Sequence, residues 1–419
     1  MKPGFYTIMA AQFFSSLADN ALLIAAIALL LQIQAPEWMT PLLKLFFVVS
    51  YVVLAPYVGP FADSMPKGRV MFITNTIKVL GCLLMFYHVH PLAAYALVGL
   101  GAAAYSPAKY GILTELLPAE KLVVANGWIE GLTVGSIIAG TFVGGALISP
   151  TVSSMLLAID PLPHLDTGID TAPEAAMVVI IGLYVIAAIF NLRIPDTGAR
   201  YSKSGIHPIV LLNQFRRCLW ILWQDRLGQI SLAVTTLFWG AGATLQFIVL
   251  KWAETALGMP LNQGALLQGI CAIGVAAGAM VAAKAIPLKK SLRVILVGVA
   301  MGVVVMVMTL VTDKWIAFPL LIVIGGLSGF FVVPMNALLQ HRGHVLMSAG
   351  MSIAIQNFNE NLSVLTMLGL YALLIHLNFH VNTVIILFGS FVTVAMVLVF
   401  IRHRHNQTHF NVESQIGHE

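Results

Sequence analysis

The chain has 419 residues, of which 59% are hydrophobic and only 9% charged, with a mean hydropathy of +0.91 and a formal net charge of +5. That balance excludes a soluble globular domain of this size, so lipid is the solvent for most of the chain. A hydrocarbon core of about 30 Å takes roughly 20 apolar residues per helix, which leaves room for about a dozen spans and none for a separate catalytic domain, so no enzyme is expected.

An unpaired backbone group in hydrocarbon costs several kcal/mol, and runs of this length without strict alternation select helices over a barrel. The expected fold is all-α and polytopic, with twelve transmembrane helices in two pseudo-symmetric six-helix halves. The twelve apolar runs fall at 5–33, 41–62, 70–88, 91–114, 122–149, 175–194, 229–256, 262–284, 294–312, 315–340, 347–376 and 381–401. The first run resembles a signal peptide but lacks a small-residue cleavage site and leads straight into further spans, so it reads as a retained helix. The domains that follow are an N-terminal half at 1–194, a connection at 195–228, a C-terminal half at 229–401 and a polar tail at 402–419.

Ionisable groups at membrane depth are costly enough that each is a functional candidate. Span 1 carries Asp19 and Asn20 near its middle. The connection between spans 2 and 3 reads GPFADSMPKGR, placing Asp63, Lys67 and Arg69 in the pattern of a major-facilitator loop signature. There Asp63 would pair across the half interface, and Lys67 and Arg69 would meet lipid phosphates as a cytoplasmic latch. Lys78 in span 3 is expected to snorkel to the interface. Span 4 holds Tyr105, Lys109 and Glu115; span 5 holds Glu130 near its end, where pairing with Lys109 or Lys121 suffices.

The loop at 150–174 carries Asp160, Asp166, Asp170 and Glu174 without a Lys or Arg, as expected of a translocated segment. The connection at 195–228 includes IVLLNQFRRCLWILWQD, whose interleaved basic, Trp and aliphatic residues suit a helix lying in the membrane interface. Span 7 contributes Trp239 and Gln246 around Gly240 and Gly242. Span 11 contributes Asn357, Glu360 and Asn361.

With the N-terminus inside, sixteen Lys and Arg fall in connections on the cytoplasmic side, and only Lys44, Lys251 and Lys314 on the other. This positive-inside bias places both termini in the cytoplasm and accounts for the net charge without nucleic-acid binding. Cys82, Cys218 and Cys271 suggest neither a disulfide framework nor a metal site, and the histidines at 403, 405, 409 and 418 read as solvated tail residues. No cofactor is expected.

Two halves imply a duplication. GLGAAAYSPAKYGIL at 99–113 aligns without gaps on GLSGFFVVPMNALLQ at 326–340, pairing Gly99 with Gly326 and Pro107 with Pro334. At a similar offset Asn126 and Glu130 fall on Gln356 and Glu360, as in repeat-built transporters. Carboxylates in both halves, a nearby lysine and apolar walls suit either a compact amine-and-phosphate headgroup with an acyl chain or an amphipathic cationic drug moved by a proton-coupled exporter.

Taken together, FFSSLADNALL, GAAAYSPAKYGIL, LFWGAGATLQF, GGLSGFFVVPMNALLQHRG and QNFNEN resemble the bacterial lysophospholipid transporter (LplT) family of the major facilitator superfamily over nearly the whole chain. The resemblance implies a flippase in the inner membrane. It would carry lysophosphatidylethanolamine and lysophosphatidylglycerol from the outer to the inner leaflet, where a cytoplasmic acyltransferase restores the diacyl lipid, and a monomer is expected. By position, Asp19, Asn20, Lys109 and Glu360 match the family's polar cavity residues. Gln246 stands where family members carry Arg, with Lys251 one turn on as the expected compensation.

Overall fold

The computed structural model describes residues 3–36, 39–158, 169–201, 207–259 and 261–416. Asp160, Asp166, Lys203 and His418 lie outside them. The described residues form helices and no strands, and twelve spans follow the expected order. Among the described residues ten helices are long and apolar enough to cross a membrane, and the bent pair at 39–63, counted as one span, makes an eleventh. The twelfth, α5 below, is 26 residues long.

The chain divides into two compact units, one of residues 1–112 and 135–211, the other of 113–134 and 212–419. The first unit contains α1 (Pro3–Gln32), α2 (Met39–Val53), α3 (Ala55–Asp63), α4 (Lys67–Phe86), most of α5 (Pro91–Leu116), the second half of α6 (Leu122–Ile148), the short α7 (Pro150–Ala158) and α8 (Ala172–Leu192). The second contains the remainder of α5 and α6, most of α9 (Pro208–Gln224), and α10 (Gly228–Ala256), α11 (Leu261–Ala285), α12 (Ile295–Val307), α13 (Lys314–Leu346), α14 (Ala349–His376) and α15 (Val381–Phe410).

In the first unit α8 packs against α1 and α4. A stripe of small residues on α1, Ala18, Ala21, Ala25 and Ala26, is fully buried with Tyr184 and Met177 of α8. Small residues also let α6 approach α1: a Cβ added at Gly140 would stand 2.5 Å from the Leu17 carbonyl, and one at Gly144 2.9 Å from that of Ala21. Span 2, continuous by hydropathy, bends by 66° between α2 and α3. Pro56 sits in the first turn of α3, where its missing N–H removes the bond to Val52 that would carry α2 through the bend at Leu54. Glu174, expected as a loop charge, is buried: its Oε2 accepts the backbone N–H groups of Asp170 and Thr171 at 2.8 Å, closing the start of α8.

The tightest helix pair of the second unit is α11 with α13. Gly274 and Gly278 face Gly325, Gly326 and Gly329, and a Cβ at Gly278, Gly325 or Gly329 would run into the backbone of Gly326, Cys271 and Val275 respectively. In lipid, where hydrophobicity does not drive helices together, such backbone contact supplies the attraction. A Gly278→Leu substitution is expected to destabilise the protein by about 1–3 kcal/mol through overpacking. A thermal melt in detergent would show it, with Gly369→Leu, which has open space for a Cβ, melting like the parent.

The polar stretch after residue 401 begins as helix, and one of its histidines, His403, is not solvated as expected. α15 continues past residue 401 to Phe410 and packs on the start of α10: the Arg226 guanidinium lies 3.2 Å from the Phe410 ring, Asn406 Nδ2 donates to the Arg226 carbonyl at 3.2 Å, and Arg402 Nε donates to Gln229 at 3.2 Å. His403 is buried, with Nε2 3.5 Å from Glu413, rather than solvated. The helix keeps its backbone groups paired beyond the hydrophobic run, and this neighbouring surface supports it.

Candidate functional site

Each unit carries a buried cluster of polar side chains. In the first, one helical turn of α1 puts Ser15 and Asp19 on one face, one turn of α4 does the same for Asn75 and Lys78, and α8 contributes Tyr184. Lys78 Nζ donates to Asp19 Oδ2 at 2.8 Å and to Ser15 Oγ at 3.1 Å; Tyr184 Oη donates to Asp19 Oδ1 at 2.6 Å; Ser15 Oγ donates to Asn75 Oδ1 at 2.9 Å. The Lys78 ammonium also lies 5.0 Å from the Tyr105 ring centroid and 5.6 Å from that of Tyr184. At Gly101 α5 comes within reach of the lysine stem, since a Cβ there would stand 2.9 Å from Lys78 Cγ.

Lys78 therefore does not snorkel. It is 1% exposed, because a carboxylate, a hydroxyl and two aromatic faces compensate its charge where the bilayer would not. Asp19 is engaged through both oxygens yet keeps its side chain 20% exposed, so one edge of the pair stays open. Asn20 Nδ2 is turned back onto the Ser16 carbonyl at 2.8 Å. Lys109 is buried, its ammonium 4.1 Å from the Tyr110 ring.

The loop between α3 and α4 differs from its expected form. Lys67 Nζ donates to Asp63 Oδ1 at 2.5 Å and to the Ala62 carbonyl at 2.8 Å, and lies 5.1 Å from the Tyr201 ring. It is buried and cannot meet lipid phosphates. The last carbonyls of α3 lack helical partners, and a cation placed there satisfies them as well as Asp63. Arg69 is exposed.

In the second unit α6 presents Asn126 and Glu130, α13 Asn336 and Gln340, and α14 Gln356 and Glu360, each pair four residues apart and so on one helix face. Asn126 and Gln340 exchange two amide hydrogen bonds, 2.8 and 2.9 Å. Gln356 Nε2 donates to Glu360 Oε1 at 2.8 Å and to Asn336 Oδ1 at 3.1 Å, and Asn336 Nδ2 reaches Glu130 Oε1 at 3.5 Å. Glu130, expected from sequence to pair with Lys109 or Lys121, and Glu360, matched to the family's cavity residues, thus belong to one buried network. Sequence reasoning missed its amide members on α13; the register of Asn126 and Glu130 on Gln356 and Glu360 was the available signal. Asn357 is buried, and Asn361 Nδ2 donates to its carbonyl at 2.8 Å.

On α10 Trp239 is half-buried, its ring against Phe238 at 5.6 Å, and Gln246 is exposed, accepting Gln268 Nε2 at 2.9 Å through its backbone carbonyl. Lys251, the expected compensation for Gln246, is committed to Glu254 at 2.9 Å. An unanticipated ion pair closes the start of α10: Asp225 accepts Arg342 Nε at 2.9 Å and Nη2 at 2.7 Å while also taking the N–H of Gly228 at 2.8 Å. Among the described residues no group of three or more His, Cys, Asp or Glu side chains has the arrangement of a metal site. The clusters offer ion pairing and hydrogen bonding inside an apolar helical body.

Residues 8–360 match the Major Facilitator Superfamily. The lysophospholipid transporter LplT of Yersinia enterocolitica is 42% identical over 378 residues, 90% of this chain and 88% of its own, and that of Yersinia pestis is 44% identical over 371 residues, 88% and 86% of the two chains. The chain belongs to the LplT family of the major facilitator superfamily. The fold of this family member is seen in two solved structures. The transporter FucP in its outward conformation has a TM-score of 0.71 at 13% identity, covering 96% of this chain and 98% of its own. An outward-facing bacterial homologue of the iron transporter ferroportin has 0.70 at 12%, covering 97% and 100%.

Proposed function

We propose that this transporter moves lysophospholipids, such as lysophosphatidylethanolamine and lysophosphatidylglycerol, from the outer to the inner leaflet of a bacterial inner membrane. The observation that carries the reading is the 42–44% identity over about nine tenths of the chain to proteins named lysophospholipid transporters. The sixteen-to-three distribution of basic residues supports cytoplasmic termini. Lysolipid delivered to the inner leaflet would be re-acylated by a cytoplasmic acyltransferase, and the transporter works as a monomer.

In this reading the halves at 1–194 and 229–401, joined by 195–228, alternate access. Asp19, Asn20, Tyr105 and Lys109 on one side, and Trp239, Gln246, Asn357, Glu360 and Asn361 on the other, meet the headgroup. The acyl chain stays in apolar surroundings, since each buried CH2 is worth about 0.8 kcal/mol. Asp63, Lys67, Arg69 and Glu130 govern closure. Proteoliposomes holding the purified protein and labelled lysophosphatidylethanolamine in the outer leaflet are expected to lose label from that leaflet with or without an uncoupler. Flipping abolished by the uncoupler, with an amphipathic cationic drug competing for transport, would favour a proton-coupled drug exporter instead.

A further inference from the structure

α9 has two dissimilar faces. Its inner face holds it to α14: Phe215 and Leu222 are buried, the Phe215 ring meets Phe358 edge-on at 5.4 Å, and Trp223 Nε1 donates to Asn359 Oδ1 at 3.3 Å. Its outer face bears Ile209, Leu212, Arg216, Arg217 and Trp220, all exposed, with Trp220 at 65% and Ile209 at 63%. The helix contains no Asp or Glu. Only three residues separate its end from α10, an apolar helix of membrane-spanning length, so α9 lies at the level where a span leaves the hydrocarbon.

A Trp and two aliphatic side chains turned to water would forfeit their burial energy, whereas headgroup level suits an indole, aliphatic side chains and arginine stems together. The two arginines select the charge of what covers them. We propose that the outer face of α9 is a docking surface for anionic phospholipid, with Arg216 and Arg217 on the headgroup phosphates and Trp220 and Leu212 at the boundary of the acyl chains. The surface is separate from the transport route and stands whether or not lysolipid is the cargo. Through Trp223 and Asn359 it ties lipid composition to the turn of α14 that carries Glu360.

The test uses the full-length protein in nanodiscs of phosphatidylcholine mixed with phosphatidylglycerol, one of the two brominated in turn. The Trp220 contribution to fluorescence is the difference between parent and Trp220→Phe. Brominated phosphatidylglycerol is expected to quench it more strongly than brominated phosphatidylcholine at equal mole fraction. In Arg216→Gln/Arg217→Gln that preference should vanish, each arginine accounting for roughly a fivefold change in association, with the thermal melt unchanged. Three results would overturn the proposal: a Trp220 signal quenched by neither lipid, as for a face in water or under protein; equal quenching by both; or a preference surviving in the double variant.

Discussion

Lys78→Met is expected to lower the melting temperature sharply and abolish lysolipid flipping, and Asp19→Asn introduced alongside it is expected to restore most of the stability. With Lys78 gone, Asp19 keeps only the Tyr184 hydroxyl at 2.6 Å among the partners described above, and a charge left unpaired in such surroundings costs about 3–5 kcal/mol. Replacing both members by neutral groups of similar size removes that penalty, since exchanging a buried pair for uncharged side chains is often neutral. Flipping by the double variant then separates two roles. A stable but inactive protein means that the charges of the pair act in transport; a stable, active one means that the pair serves packing alone. A Lys78→Met protein melting with the parent would show that the ion pair contributes little.

Glu360→Ala is expected to insert normally and to reduce flipping at least tenfold, a barrier change of about 1.4 kcal/mol. Its carboxylate accepts Gln356 Nε2, whose other contact reaches Asn336 and, through it, Glu130. Truncation strands a buried amide donor, costing about 1–3 kcal/mol, which a polytopic helical protein tolerates while its network loses geometry. Glu360→Gln keeps an acceptor at that position and removes the charge, so activity retained there and lost in Glu360→Ala would assign the role to hydrogen bonding. Uptake by Glu360→Ala equal to the parent in proteoliposomes would remove the glutamate from the transport route.

The spans were legible because their cause is local. A window of about 20 apolar residues has one stable conformation in hydrocarbon whatever surrounds it, so the apolar runs determined the all-α class and the order of the spans. The break between α2 and α3, with Pro56 in the first turn of α3, was not read, because hydropathy runs through it. The candidate charges were visible because Asp19, Lys109 and Glu360 interrupt apolar runs.

Which partner each charge takes was decided by tertiary structure. Asp19 meets Lys78 59 positions away and Tyr184 165 positions away, and Asn126 meets Gln340 across 214. No periodicity within a helix carries that information. The same lysine at the same depth would snorkel beside lipid and is fully buried beside Asp19, because its free energy depends on the groups a neighbouring helix brings to it. The sequence by itself determined that the chain spans a membrane and where its polar side chains lie along each helix. Packing decided which of them are compensated, since only packing brings opposite charges from different helices within hydrogen-bonding distance in a medium that offers no water.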